Sequence, residues 1–419
     1  MVEKYGKSRL GRTFRKRLNR QNRLDMPSVI KDVEWIIFRD WLKQKGFSKT
    51  KLTLAEFNDT GRGMMATKDI VVGEILISVP LRLLITPKSL SNTMQKRRKN
   101  TKSSVYHYIQ MLPKNFDTMP ICFELELLEF LPNNVKEDVK SQKLKFEEDF
   151  RSVCRFLKKQ LNFNINITYN EFLWSWLCVN TRCIYFEPFK SINCDVRENI
   201  AIAPMLDFLN HNFNAKTKGE FNKVTQCYEI TTFTPWKKGQ QVFINYGPHD
   251  NFKLLLDYGF TIPNNPFNYI LLDDEFFKFN IKEEAENIVS KKSSLLMKNG
   301  FYGDYVLHTS QISFRLLTAL RLRFLRPLNN ISSQETQHLI TKWQNTISGK
   351  YEILSYENEI EVYEWIDSVC KELIRKCDFM LEKVNSIPSS SLENLKLLWN
   401  ESKNILTSII ILIQDSKNM

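Results

Sequence analysis

Two blocks of strand-like alternation, residues 60–86 and 201–247, stand far apart in the chain with helical periodicity between and after them. In the first block, Gly61-Arg62-Gly63 reads as a turn and Met64 to Thr67 as a strand. Glu74 to Val79 and Leu83 to Thr86 follow, punctuated by Pro80 and Pro87. In the second, FNKVTQCYEITTF and QQVFINYG alternate around a turn at Lys238-Gly239. Val33, Ile36, Ile37, Trp41 and Leu42 fall at helical spacing ahead of the first block, and helical patterns dominate residues 105–180. After Pro266 the apolar stripes are again helical, with Phe314, Leu317 and Leu320 on one and Val362, Ile366, Val369 and Leu373 on another. The order predicts an α+β chain: a β-rich fold interrupted by a helical insert over about 90–200, then an all-helical tail over 266–419.

Charge separates a leader from this body. The net charge is +13, and residues 1–24 hold nine cations (Lys4, Lys7, Arg9, Arg12, Arg15, Lys16, Arg17, Arg20, Arg23) against Glu3 alone. Residues 1–25 therefore read as a disordered basic arm, suited to nuclear targeting or to nonspecific contact with nucleic acid. The rest of the chain is near balance and lacks an aromatic-basic motif, which argues against nucleic-acid binding as the main function. No stretch approaches the ~18–20 apolar residues of a membrane span. The eight cysteines show no CxxC spacing and read as reduced thiols, with no zinc cluster. Nucleus and cytoplasm are the expected compartments.

Three short segments carry the chemistry: Gly61-Arg62-Gly63-Met64, Asp207-Phe208-Leu209-Asn210-His211 and Ile244-Asn245-Tyr246-Gly247. Taken singly each has a plain structural reading. The glycine pair fits any tight turn, Asn210-His211 fits a cap or loop hydrogen-bond pair, and Tyr246 fits a core tyrosine.

In this order and β context the three segments resemble the SET-domain methyltransferases. Asn180-Thr181-Arg182, the D-x-x-N-H form of the second segment and YGPHDNFKLLLDYGF (Tyr246 to Phe260) resemble the Rubisco-methyltransferase-like class of that family. The resemblance implies a SET domain over 33–260 and a helical substrate-binding domain over 266–419. It implies S-adenosylmethionine as cofactor, held by Gly61, Gly63, Met64, Arg182, Asn210, His211 and Tyr246. Tyr246 takes the place of the active-site tyrosine, and Asp207, Tyr258 and Arg182 take substrate-side places. Asp250 and Asn251 stand where the class has a Ser-Asn pair.

The expected reaction is methyl transfer to a protein lysine, on a histone or another protein, without metal. A neutral amine placed at ~3–3.5 Å from an activated methyl group needs no strong acid–base pair, so His211 reads as a structural and cofactor-side residue. His249, just after Tyr246, is near enough in sequence to approach the site. A catalytically silent SET module acting as a binding protein is the competing reading.

Overall fold

A computed structural model describes residues 27–86, 105–161, 167–186, 199–279, 285–326, 334–386 and 392–417. The basic arm lies outside them, as does Cys194. The chain divides into two compact units, residues 1–116 with 149–248, and residues 117–148 with 249–419. The expected limits of 33–260 and 266–419 differ from this division. Residues 117–148 of the helical insert and 249–260 after the last strand group with the second unit.

The first unit is built on β1 (Ser28–Val29), β2 (Leu52–Phe57), β3 (Gly61–Ala66), β4 (Ile75–Pro80), β5 (Cys183–Tyr185), β6 (Ile200–Ile202), β7 (Asn210–His211), β8 (Thr217–Asn222), β9 (Cys227–Thr232) and β10 (Gln241–Ile244). A five-stranded sheet runs β1-β2-β3-β10-β7, a three-stranded sheet β4-β9-β8, and β5 pairs with β6. β10 is the hinge of the arrangement. It is antiparallel to β3, with Val242 opposite Met64, and parallel to β7, with Phe243 opposite Asn210 and Ile244 opposite His211. Leu54, Met64, Val79 and Val242 are almost wholly buried, so these registers are set by which side chains the core accepts.

The entry helix, Val33–Gln44, is rotated from the expected face. Trp35, Phe38, Trp41 and Leu42 are buried, whereas Val33, Ile36 and Ile37 are exposed. Both faces are apolar, and the one with three aromatic rings buries the larger area, ~150–250 Å² per ring. Phe38 sits among Trp35, Trp41, Tyr108 and Phe208 with ring centroids 5.7–6.3 Å away.

In the second unit, long helices Tyr356–Asn385 and Glu393–Lys417 pack together around Val362, Ile366, Cys370, Ile405 and Ile409, all buried. Arg321 and Glu359 form a two-pronged buried pair at 2.8 and 2.6 Å. This unit is not all-helical. β11 (Tyr269–Leu271), β12 (Val306–His308) and β13 (Gln311–Ile312) form a three-stranded antiparallel sheet. Strands of two or three residues are too short to show a two-residue period against helical flanks. Their position is set by distant contacts instead, such as the backbone N–H groups of Asp304 and Tyr305 donating to the Asp273 carboxylate. No helix among the described residues is long and apolar enough to cross a membrane.

Candidate active site

The glycine segment lies within β3 rather than in a turn; the turn itself is Asn58–Thr60. Gly61 takes φ +65°, a left-handed conformation that favours glycine at the hairpin exit. Gly63 answers a different need. A Cβ there would stand 2.5 Å from Gln241 Oε1 and 2.9 Å from Asn210 Nδ2, because both amides lie over the strand. Asn210 Nδ2 donates to the Arg62 carbonyl at 3.1 Å and to Gln241 Oε1 at 2.9 Å. Gln241 Nε2 in turn donates to Thr60 Oγ1 at 2.7 Å. Gly63→Ala is therefore expected to destabilise the first unit by ~1–3 kcal/mol through overpacking, read as a lower urea midpoint. An unchanged midpoint would show that the amides swing clear. Met64, the last residue of the segment, is fully buried, so its side chain serves the core.

The parallel pairing of β10 with β7 brings Tyr246 to His211. The Tyr246 backbone N–H donates to His211 Nδ1 at 3.0 Å, and the rings stand 5.1 Å apart. Accepting at Nδ1 makes His211 a neutral imidazole with its proton on Nε2. The Tyr246 hydroxyl donates to the Leu209 carbonyl at 2.8 Å, and Gly247, at φ +137°, lets its own N–H close on Asn245 Oδ1 at 2.8 Å.

Asp207, two residues before Leu209, is held by a buried polar cluster. Arg182 Nη1 donates to the Asp207 backbone carbonyl at 2.8 Å and to Oδ2 at 3.1 Å, and the Tyr108 hydroxyl donates to Oδ2 at 2.6 Å. The Asp207 side chain is 1% exposed. Burial pushes its carboxyl above the usual carboxylate range, while Arg182 and the Tyr108 hydroxyl hold it down. Burial, with Asp207 beside it, also drives the Tyr108 phenol well above its ordinary value. Arg62 is lowered by burial and by nearby Arg182, and its Nη2 reaches the Met111 carbonyl at 3.2 Å. Asp207 Oδ1 and Arg182 Nε are buried without a hydrogen-bond partner among the described residues. The turn carrying Asp207 enters through Met205 at φ +81°, a conformation costing ~1–3 kcal/mol that persists only where surrounding contacts hold it. Cys178, nearby, is pushed up to about 12 by burial and is no nucleophile at neutral pH.

Eight of the nine residues singled out from the sequence thus lie in the first unit: Gly61, Gly63, Met64, Arg182, Asp207, Asn210, His211 and Tyr246. Tyr258 belongs to the second, on helix Asn251–Tyr258, where burial raises its phenol. His249 is in that unit too, its ring 6.2 Å from Tyr258. Asp250 and Asn251 are helix-start residues. Asp250 Oδ1 accepts from the Lys253 N–H at 2.7 Å, and the Asn251 amide exchanges two hydrogen bonds with the Ile262 backbone. Gln241 and Tyr108 were not singled out. Nothing local marks either, since a strand glutamine and a tyrosine in a short helical run acquire partners only through distant contacts. Among the described residues no group of three or more His, Cys, Asp or Glu could hold a metal ion.

A SET-domain family model matches residues 61–247, which span all three segments. SET domain-containing protein 4 of Mus musculus is 30% identical over 411 positions, covering 90% of either chain. The Schizosaccharomyces pombe ribosomal lysine N-methyltransferase set11 is 26% identical, covering 84% of this chain and 90% of that one. Actin-histidine N-methyltransferase of Gallus gallus is 24% identical, covering 80% of this chain and 60% of its own. Among solved structures, the SET domain of LSMT bound to lysine and AdoHcy superposes with a TM-score of 0.63 at 20% identity, over 92% of this chain and 91% of that one. That likeness concerns the fold. With the sequence relatedness running through nine-tenths of both chains and the segments that define the family meeting at one sheet junction, the chain belongs to the SET-domain family.

Proposed function

We propose that the chain is an S-adenosylmethionine-dependent methyltransferase acting on a lysine side chain of a histone or another protein. The observation that carries this reading is the Tyr246 hydroxyl bonded to the Leu209 carbonyl immediately beside Asn210. S-adenosylmethionine supplies, when bound, a methyl group already activated on a sulfonium, so the chain has only to bind, orient and exclude water.

The residues present fit that cofactor. Asn210 has committed both amide protons, to Arg62 and Gln241, which leaves its Oδ1 to accept from a cationic amino group. The backbone around Gly61 and Gly63, with His211 and Arg182, completes the set that would hold it. Asn210→Ala is expected to weaken S-adenosylhomocysteine binding by ~1–3 kcal/mol, because acceptor and lattice are lost together. Calorimetry giving an unchanged dissociation constant would remove Asn210 from this role.

A lysine amine, with a free pKa of ~10.4, must be neutral to attack. The Arg182 guanidinium, electrostatically coupled to Tyr246, disfavours a second cation there, and desolvation of the amine would lower its pKa in the same direction. The Tyr246 oxygen, its proton given to Leu209, keeps lone pairs to orient the amine, and the Leu209 carbonyl offers a weak C–H···O acceptor.

The test is transfer of labelled methyl into separated histone, ribosomal and cytosolic fractions, with Tyr246→Phe as control. Label in one fraction, absent with the variant and recovered as methyllysine, is expected. Label recovered as methylhistidine would move the target to the chemistry of the actin-directed relative. No label in any fraction, with the cofactor bound, would favour a silent binding module. The same fractions distinguish nuclear from cytoplasmic targets, and salt-sensitive DNA retention lost on deleting residues 1–24 would assign nucleic-acid contact to the arm.

A further inference from the structure

We infer that Tyr108 is a positioning residue for methyl transfer, its hydroxyl fixing the Asp207 carboxylate and thereby the Leu209 carbonyl on which the Tyr246 hydroxyl rests. The inference rests on the methyltransferase reading and extends it to a residue outside the three family segments.

Tyr108 is 1% exposed and packs against Phe38 at 6.3 Å. A phenylalanine would fill that space equally well, and a buried hydroxyl is costly unless it is paired. The hydroxyl's partner is Asp207 Oδ2 at 2.6 Å, the same oxygen that Arg182 contacts at 3.1 Å. Two donors on one oxygen set the rotation of the carboxylate and leave Oδ1 buried without a partner among the described residues. Arg182 Nη1 pins the Asp207 backbone carbonyl as well. Asp207 lies within the turn Leu206–Phe208, and the Leu209 N–H bonds back to the Leu206 carbonyl at 3.1 Å, so the turn and Leu209 move as a unit. The Leu209 carbonyl then receives the Tyr246 hydroxyl at 2.8 Å. Hydroxyl, carboxylate, turn and carbonyl form one continuous path from Tyr108 to the Tyr246 hydroxyl. A functional group reaches its productive geometry only when supporting hydrogen bonds of this kind hold it in place.

Tyr108→Phe in the full chain is expected to lower kcat about tenfold, counted per S-adenosylhomocysteine-binding site, with both KM values within about twofold. In a Tyr246→Phe background the same change should cost under about twofold, since the path then ends on nothing. An unchanged kcat would overturn the assignment. So would a full tenfold loss repeated in the Tyr246→Phe background, which is the additivity of a merely structural residue. Should Tyr108→Phe fail to fold, 4-aminophenylalanine at position 108 keeps the shape with a weaker donor. An intermediate kcat supports the path, and a wild-type kcat overturns it. A wild-type chain that labels no fraction sinks the functional reading itself, and that is known before any Tyr108 variant is made.

Discussion

Tyr246→Phe should lower kcat about 10²-fold, equivalent to ~2.7 kcal/mol, while S-adenosylhomocysteine binds within about twofold of wild type. The variant removes one oxygen. The backbone N–H still donates to His211 Nδ1, and the ring still faces the imidazole at 5.1 Å, so the sheet junction that would hold the cofactor is untouched. What disappears is the acceptor that orients the amine and the donor that ties the Leu209 carbonyl. Single-turnover rates alongside calorimetry separate the two. A full rate would take Tyr246 out of the chemistry. A lost affinity with a normal rate at saturation would make it a cofactor-holding residue instead.

Arg182→Met should cost the first unit ~3–5 kcal/mol, because it strands the Asp207 carboxylate in a site where its side chain is 1% exposed. Methionine keeps much of the volume, so the loss is mainly electrostatic. With Arg182 gone, the desolvation that already raises the Asp207 carboxyl loses its main opponent. The folded-state pKa then stands further above its unfolded value. The penalty is therefore fully present above the folded pKa and is relieved as pH falls through it. Urea denaturation should show a larger deficit at pH 8 than at pH 5.5, and Arg182→Met with Asp207→Leu should recover most of the stability. A deficit independent of pH, or a double variant as weak as the single one, would contradict this account. Because the chain has two compact units, the transition of the first must be followed by itself.

The segments with glycine, Asn-His and Tyr-Gly are legible through their order and β context together, since each taken singly has a plain structural reading. Gly61 takes a positive φ, Gly63 makes room for two amides, and Gly247 closes the turn after Tyr246. The buried face of Val33–Gln44 differs from the one its periodicity predicts because both faces are apolar, and the aromatic one wins only when its neighbours are present. The strands β11 to β13 escaped for a related reason: two or three residues hold too little pattern to identify a strand.

By itself the sequence determined the two β blocks with helices between and after them, the family and the residue types available for chemistry, since propensity, turn preference and short motifs act over a few neighbours. Only the tertiary structure decided which of those residues meet. Thr60 bonds Gln241 across a separation of 181 residues, and Tyr108 bonds Asp207 across 99. Contacts of that range are selected by burial and register in the assembled core, where an unpaired amide or carboxylate is costly, and no local pattern announces them.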